Sequence, residues 1–417
     1  MKINYNVKPY NTKKKPLKQT FLFTFLIWFL SLFCMMGKKY KIEKIGIKGL
    51  KTPYILLSNH MYFTDFYLNA IATFPHSVNN VATIDGYYRR PLLMELIGCI
   101  CKRKFTNDLA LIRSIKHCLV KHKSILSMYP EARYSPIGTT AILPDALGKL
   151  VKLMGVPVVT LMHHGNYLHT PFWDHDRARK VPLHTIMKLI LTEEDVKTKS
   201  VDEINAIIRK EMEYDEYKWQ FENKIEITEP FRAEGLHKVL YKCPKCNAEH
   251  MSSSGTKIRC EVCGKEWEMD TLGRLVADDG NTEFPHIPDW YEWQRECVRE
   301  EVESGEYSFE DEVDIFSLTD PMKFIHVGKG KLTHNYDGFT VSGNYNGEDF
   351  EINRPVLGMY GVHIEYDYVY VRPEDCVDIS TDDDSLYCYP TKKNVVTKLS
   401  LATEELYKMK SKKPEKV

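Results

Sequence analysis

Apolar and polar positions follow two rhythms along this chain. The first informative stretch is Tyr54-Ile55-Leu56-Leu57, four consecutive apolar residues after Pro53. The run is too short for a helix and fits a buried strand. Over residues 62–74 the rhythm becomes helical, with Phe66, Leu68, Ile71 and Phe74 available for one buried face and Pro75 as the stop. Helical spacing returns at 91–100 and 109–121, a short apolar strand at 124–129, a helix at 146–154 and a core strand at 156–162. Strands and helices in this alternation predict an α/β fold: a largely parallel or mixed sheet flanked by helices.

Beyond residue 200 the patterns change. Residues 200–224 form a charged helical stretch, packed by Ile204, Ile207, Ile208 and Met212, and 289–304 form an acidic helix whose Trp290 and Trp293 belong in a core. From 322 to 389 short alternating runs (KFIHVG, GKLTHNY, GFTVSG, FEINRP, VHIEYDYVYVR, SLYCYP) are separated by Gly, Asn and Asp turns, and a helix closes the chain at 399–408. This predicts a mostly-β domain, a small barrel or sandwich of six or seven antiparallel strands. The expected units are a basic, hydrophobic N-terminus (1–40), an α/β domain (41–232), a small cysteine-bearing module (233–272), an acidic helical linker (273–320) and the β-rich domain with its terminal helix (321–410). The ends, 1–15 and 409–417, read as disordered.

A length of 417 residues, with 43% hydrophobic and 27% charged positions, suits a globular protein of two or three domains. The net charge of zero conceals a split. Residues 1–50 carry eleven lysines and one acid, Glu43, while residues 266–385 carry thirty acids against eight Lys or Arg. An acidic back half argues against nucleic acid as partner. A basic head suits an anionic surface. Within that head, residues 21–36 (FLFTFLIWFLSLFCMM) are uncharged, flanked by Lys13–Lys15 and Lys18 on one side and Lys38, Lys39 and Lys41 on the other. Sixteen residues fall short of the roughly twenty that span a bilayer, and no small-residue cleavage site follows. The expectation is a helix that enters one leaflet or lies in the membrane interface.

Eleven cysteines change the picture again. Cys243-Pro-Lys-Cys246 and Cys260-Glu-Val-Cys263 are two C-x-x-C knuckles separated by thirteen residues, the spacing of a zinc ribbon that aims four thiolates at one point. Such a zinc is structural, because four thiolates leave it no open position. The other seven lack knuckle spacing and read as buried thiols, which implies a reducing compartment and hence the cytoplasmic face of a membrane.

Candidate chemistry sits where strand gives way to helix. On a regular helix, residues five apart point roughly 140° away from each other, so His60 and Asp65 can meet only with His60 in the loop and the chain folded back over the first helical turn. A loop histidine whose tautomer is fixed by a carboxylate is the layout of a general base. The spacing alone is weak evidence, since His169 and Asp174 repeat it in a Pro- and Trp-bearing loop. Glu131 and Arg133 follow the strand at 124–129, and Lys102-Arg103-Lys104 follow the helical pattern at 91–100. In parallel sheets the functional loops gather at the carboxyl ends of strands, so His60 and Glu131–Arg133 are expected to share a crevice.

Taken in order, NHMYFTD, the helix with its basic cluster, YPEARYS and GVPVV resemble the four motif blocks of the glycerolipid acyltransferases related to 1-acylglycerol-3-phosphate acyltransferase. The resemblance covers roughly residues 40–215, about two-fifths of the chain. It implies that His60 deprotonates an acceptor hydroxyl, which attacks an acyl thioester, and that Asp65 holds the imidazole. The donor would be acyl-CoA or acyl carrier protein, the acceptor a lysophosphatidate-like lysophospholipid or another lipid alcohol, and no catalytic cofactor is implied. Glu131 and Arg133 match a block that in the family holds the acceptor, although Ala132 replaces the usual Gly and the Arg comes one residue early. Lys102, Arg103 and Lys104 fall where the family keeps a phosphate-binding Arg. These departures leave open a non-catalytic adaptor built on the same scaffold.

Overall fold

In a computed structural model, residues 3–106 and 109–411 are described. The apolar head is helix α1 (Phe21–Cys34), started by the Thr20 hydroxyl accepting the Phe23 amide, and strand β1 (Tyr40–Ile45) leads away from it. The run after Pro53 is β2 (Ile55–Ser58), and the helical rhythm behind it is α2 (Thr64–Thr73). Next come β3 (Val78–Thr83), α3 (Pro91–Leu96), β4 (Ile100–Lys102), α4 (Leu109–His117), β5 (Ile125–Met128), α5 (Ala146–Met154), β6 (Val158–His164), the one-turn α6 (Asn166–His169) and β7 (Leu183–Leu191). These strands make one mixed sheet in the order β1-β7-β6-β2-β5-β3-β4. The five from β6 to β4 run parallel, β7 is antiparallel to β6, and β1 runs parallel with β7.

Alternation along β2 sets the layers. Ile55 and Leu57 share a buried cluster with Leu147 and Val151 of α5, while Leu56 shares another with Ala72 of α2, which puts the two helices on opposite faces. All three strand residues are fully buried, each worth roughly 1.5–3 kcal/mol of apolar transfer. The pattern anticipated these inner elements. It missed β4, where the helix expected over 91–100 stops at Leu96 and the chain turns through Gly98 at φ +81° into an edge strand.

The charged stretch 200–224 is two helices, α8 (Val201–Glu211) and α9 (Glu216–Glu222), preceded by α7 (Glu193–Thr198). The break has a local cause: the Asp215 side chain caps a new helix on the Lys218 amide. The cysteine module is a four-stranded sheet of β8 (Met251–Ser254), β9 (Lys257–Cys260), β10 (Glu266–Met269) and β11 (Leu275–Ala277). It therefore runs five residues past the boundary expected from sequence. Helix α10 (Ile287–Glu303) buries Trp290 edge-on against Trp267 at 4.8 Å between ring centroids.

The C-terminal region is a seven-stranded antiparallel sheet of β12 (Phe309–Ser317), β13 (Ile325–Asn335), β14 (Gly338–Tyr345), β15 (Glu348–Pro355), β16 (His363–Glu365), β17 (Cys376–Ser380) and β18 (Ser385–Pro390). Its order is β15-β14-β13-β12-β18-β17-β16, and α11 (Val396–Ser411) follows. Two readings change here. Residues 309–317, placed in a helical linker, form the central strand, because Val313 and Ile315 point inward between outward acids. KFIHVG and GKLTHNY are one long strand, β13. The expected disorder of residues 1–15 is also corrected over its described part. Tyr5 donates to Asp384 at 2.7 Å and the Tyr10 amide to the Thr319 carbonyl at 3.0 Å. A single cluster of buried apolar residues runs from Ile55 through Trp173 and Trp267 to Ile315 and Leu401, fusing the α/β sheet, the cysteine module and the C-terminal sheet.

Candidate active site

Strand β2 ends at a side chain that imitates backbone. Asn59 donates to the His163 carbonyl at 2.9 Å and accepts the His163 amide at 2.8 Å, so it extends the ladder with β6 by one step. His60 comes next, in the turn, its carbonyl accepting the Ser135 amide at 2.8 Å. The chain then folds back as geometry required. Asp65 Oδ2 accepts the Met61 amide at 2.6 Å, the Tyr62 amide at 3.1 Å and His60 Nδ1 at 3.0 Å, while Oδ1 accepts Asn166 Nδ2 at 2.7 Å. Burial of Asp65 opposes its ionisation, but the hydrogen bonds of His60 and Asn166 outweigh it, and the carboxyl titrates below its ordinary range.

An ionised Asp65 can only accept from Nδ1, so the tautomer it selects carries its proton on Nδ1 and presents Nε2 as the acceptor. The ring is held on both sides, stacked on Tyr129 at 3.8 Å and 14° and leaning on Tyr134 at 4.2 Å. Its side chain keeps 21% of its surface accessible. The ring is thus fixed in orientation while part of its surface stays accessible. The two tyrosines bracket the YPEARYS stretch, so they were visible in sequence but not recognised. Asn166 carries no sequence signal at all, because it reaches Asp65 from α6, 101 residues away.

The other strand ends converge on the same edge. Residues 129–134 follow β5, Asp85 follows β3, the basic trio ends β4 and Asn166 follows β6. The shared edge is therefore real, but the side chains expected in the crevice turn elsewhere. Glu131 is buried, accepting the Tyr214 hydroxyl at 3.0 Å and the Ala141 amide at 3.1 Å. Burial pushes its carboxyl up to about 7, against those hydrogen bonds. Arg133 is buried on α11, donating to Ser400 at 3.0 Å and to Glu404, which also binds Arg295. Arg103 donates to the Leu318 and Thr319 carbonyls and the Ser385 hydroxyl at 2.9–3.1 Å. Lys104 lies 2.7 Å from Asp85, 3.6 Å from Glu365 and 3.7 Å from Asp378. Burial opposes its charge, but those carboxylates prevail and raise its pKa. Lys102, half-buried, donates to the Thr106 carbonyl at 3.1 Å. Arg133, Arg103 and Lys104 thus fasten the C-terminal domain instead of meeting His60.

The second H-x4-D pair does not form. His169 bonds Thr170 and Lys38, and Asp174 is taken by Arg177 and Arg179. In the cysteine module all four sulfurs of Cys243, Cys246, Cys260 and Cys263 lie within 4.8 Å of one another, with Cys243–Cys263 at 3.8 Å and Cys246–Cys260 at 3.6 Å. A tetrahedron with metal–sulfur bonds of about 2.3 Å has edges of roughly 3.8 Å, so the four fit one metal ion.

No family model matches the chain, and no curated protein matches its sequence. Among solved structures the chain is similar to the 1-acyl-sn-glycerophosphate (LPA) acyltransferase PlsC from Thermotoga maritima, at 14% identity and a TM-score of 0.33 over 46% of this chain and 78% of that one. At that level the likeness is a bare observation, and it is the site's own geometry that bears on function.

Proposed function

We propose that the chain is a membrane-associated O-acyltransferase that moves an acyl group from an acyl thioester to a lipid hydroxyl, with His60 as general base. One observation carries this reading: His60 Nδ1 is bound by buried Asp65 at 3.0 Å while the ring stays accessible. A hydroxyl is a poor nucleophile at neutral pH, and a positioned imidazole is the usual remedy. Nε2 takes the hydroxyl proton, the oxygen attacks the thioester carbonyl, and the tetrahedral intermediate collapses to ester and thiolate, which takes up a proton. Asp65 stabilises the imidazolium in between, and the thioester supplies the driving force. Acyl-CoA and acyl carrier protein are both suitable donors. The motif order of the sequence supports the same chemistry.

A second reading concerns the acceptor. The resemblance implied a lysophosphatidate-like phosphate near Arg133 and the basic trio, but Arg133, Arg103 and Lys104 are buried in contacts with the C-terminal domain. This favours an acceptor lacking a phosphomonoester. Membrane association fits α1, whose 14 residues expose Leu22, Phe25, Phe29 and Phe33. Among the described residues no helix is long and apolar enough to cross a membrane. Our reading puts α1 in the interface of the cytoplasmic leaflet, supported by its exposed apolar residues and the lysines that flank it. The four cysteines hold a structural zinc; dialysis against a chelator should release one zinc per chain and lower Tm.

The test is thiol release from acyl-CoA with a panel of monoacyl lipid alcohols, with and without a phosphomonoester. Acceptor-dependent release by the native protein, lost in a folded His60→Ala variant, supports the proposal. Equal release by both proteins would sink it, and a folded native protein inert toward every acceptor and donor favours the adaptor.

A further inference from the structure

Helix α1 is built inside-out. Thr24 and Ser31 are buried against the protein while Leu22, Phe25, Leu26, Phe29, Phe33 and Met36, one stripe at helical spacing, face outward. The inner face is anchored, with Trp28 stacked at 4.4 Å on Phe74, the residue that caps the end of α2. An outward apolar stripe marks an interaction surface, and it does not stop at α1. At its end Met35 shares a buried cluster with Tyr67, and Phe63, exposed at the start of α2, packs edge-on against Tyr67 at 5.2 Å. Directly after Arg90, Leu92 and Leu93 stand out from α3, Leu92 at 67% exposure.

The patch then crosses to the other end of the chain. Tyr88 contacts Tyr370 at 5.5 Å and Phe324 at 5.1 Å, and the Arg89 amide donates to the Pro321 carbonyl at 2.8 Å. Beside those contacts Met322 is 55%, Val369 61% and Tyr370 46% exposed. Singly exposed apolar residues are ordinary, but a contiguous set on separate segments marks an interaction surface. Cations lie along it: Lys38 and Lys39 after α1, exposed Arg89 and Arg90, and Lys14, which reaches Glu95 of α3 at 2.7 Å. Apolar side chains ringed by Lys and Arg match a bilayer with anionic headgroups.

We propose that the chain docks on a lipid bilayer through a composite face in which Met322, Val369 and Tyr370 of the C-terminal domain act together with α1, Phe63 and Leu92–Leu93. The inference rests on the membrane reading above and extends it. The C-terminal domain is a second anchor, and exposed Phe63, three residues after His60, brings the His60 turn to the lipid surface.

The test is co-sedimentation of the full chain with phosphatidylcholine vesicles, with and without phosphatidylglycerol. The variants are Val369→Ser with Tyr370→Ser, Phe25→Ser with Phe29→Ser, and, as control, Leu153→Ser on α5, which covers the opposite sheet face. The expected result is at least about a tenfold loss of binding for each double variant with Tm unchanged, no loss for the control, and stronger binding to anionic vesicles. Hydrogen exchange over residues 366–373 should slow when vesicles are added to the unmutated protein. If Val369/Tyr370 behaves as the parent while Phe25/Phe29 fails to bind, the composite face is overturned and α1 docking stands. If neither double variant differs from the parent, both the composite face and the membrane reading fail.

Discussion

The same six-residue pattern occurs twice in this chain and means two different things. His60 and Asp65 meet at 3.0 Å, whereas His169 and Asp174 take other partners. The difference lies in the backbone between them. After β2 the chain turns at once into α2, so the Met61 and Tyr62 amides converge on Asp65 and draw its carboxylate back toward the preceding residue. After α6 the chain instead runs through Pro171 into a short 3-10 turn, where Asp174 finds Arg177 and Arg179. Spacing offers an opportunity, and the amides of the turn that leads into the helix decide whether it is taken.

Substitution should separate the pairs sharply. His60→Ala should lower acyl-transfer kcat by roughly 10²–10⁴-fold with little change in Tm, and His169→Ala should stay within about threefold. Asp174→Asn should show the reverse. It strands the buried Arg179 guanidinium, a loss of about 3–5 kcal/mol readable in chemical denaturation, while activity per folded molecule holds.

The neighbouring Glu131 sharpens the contrast between buried carboxylates. Its pKa is raised to about 7, so the folded state retains a proton that the unfolded chain loses near pH ~4.3. The stability it contributes is full below that value and lost as pH rises through 7, about 4 kcal/mol in all. Glu131→Gln should flatten this decline in denaturation measured from pH 5 to 8. The smallest effect belongs to Asn166→Ala, which removes one hydrogen bond to a charged group, about 1.5–3 kcal/mol. It should appear as a fall of about tenfold or more in kcat at unchanged KM.

Much of the α/β layer was legible because its strands and helices carry strong periods. Strand β2, helix α2, strand β5 and helix α5 lie within two residues of where periodicity placed them. The turn at His60 followed from helix geometry alone. Strand β12 was not legible, because its outward Glu and Asp residues hid an alternation of Val313 and Ile315 inside an acidic run. Nor was the fate of the cations. Lys104 and Arg133 look like anion binders until β16, β17 and α11 arrive with Glu365, Asp378 and Glu404. Those partners are hundreds of residues away, where a local pattern does not reach.

The central claim is that one nitrogen of His60 is held by Asp65 and the other is left for substrate. Nitrogen-15 NMR of the histidine side chains, with His60 assigned by its loss in His60→Gln, tests this most directly. The prediction is a protonated Nδ1 whose proton resonance is shifted far downfield and disappears in Asp65→Asn, with Nε2 unprotonated at neutral pH. A proton found on Nε2, or an Nδ1 resonance indifferent to Asp65→Asn, would contradict it.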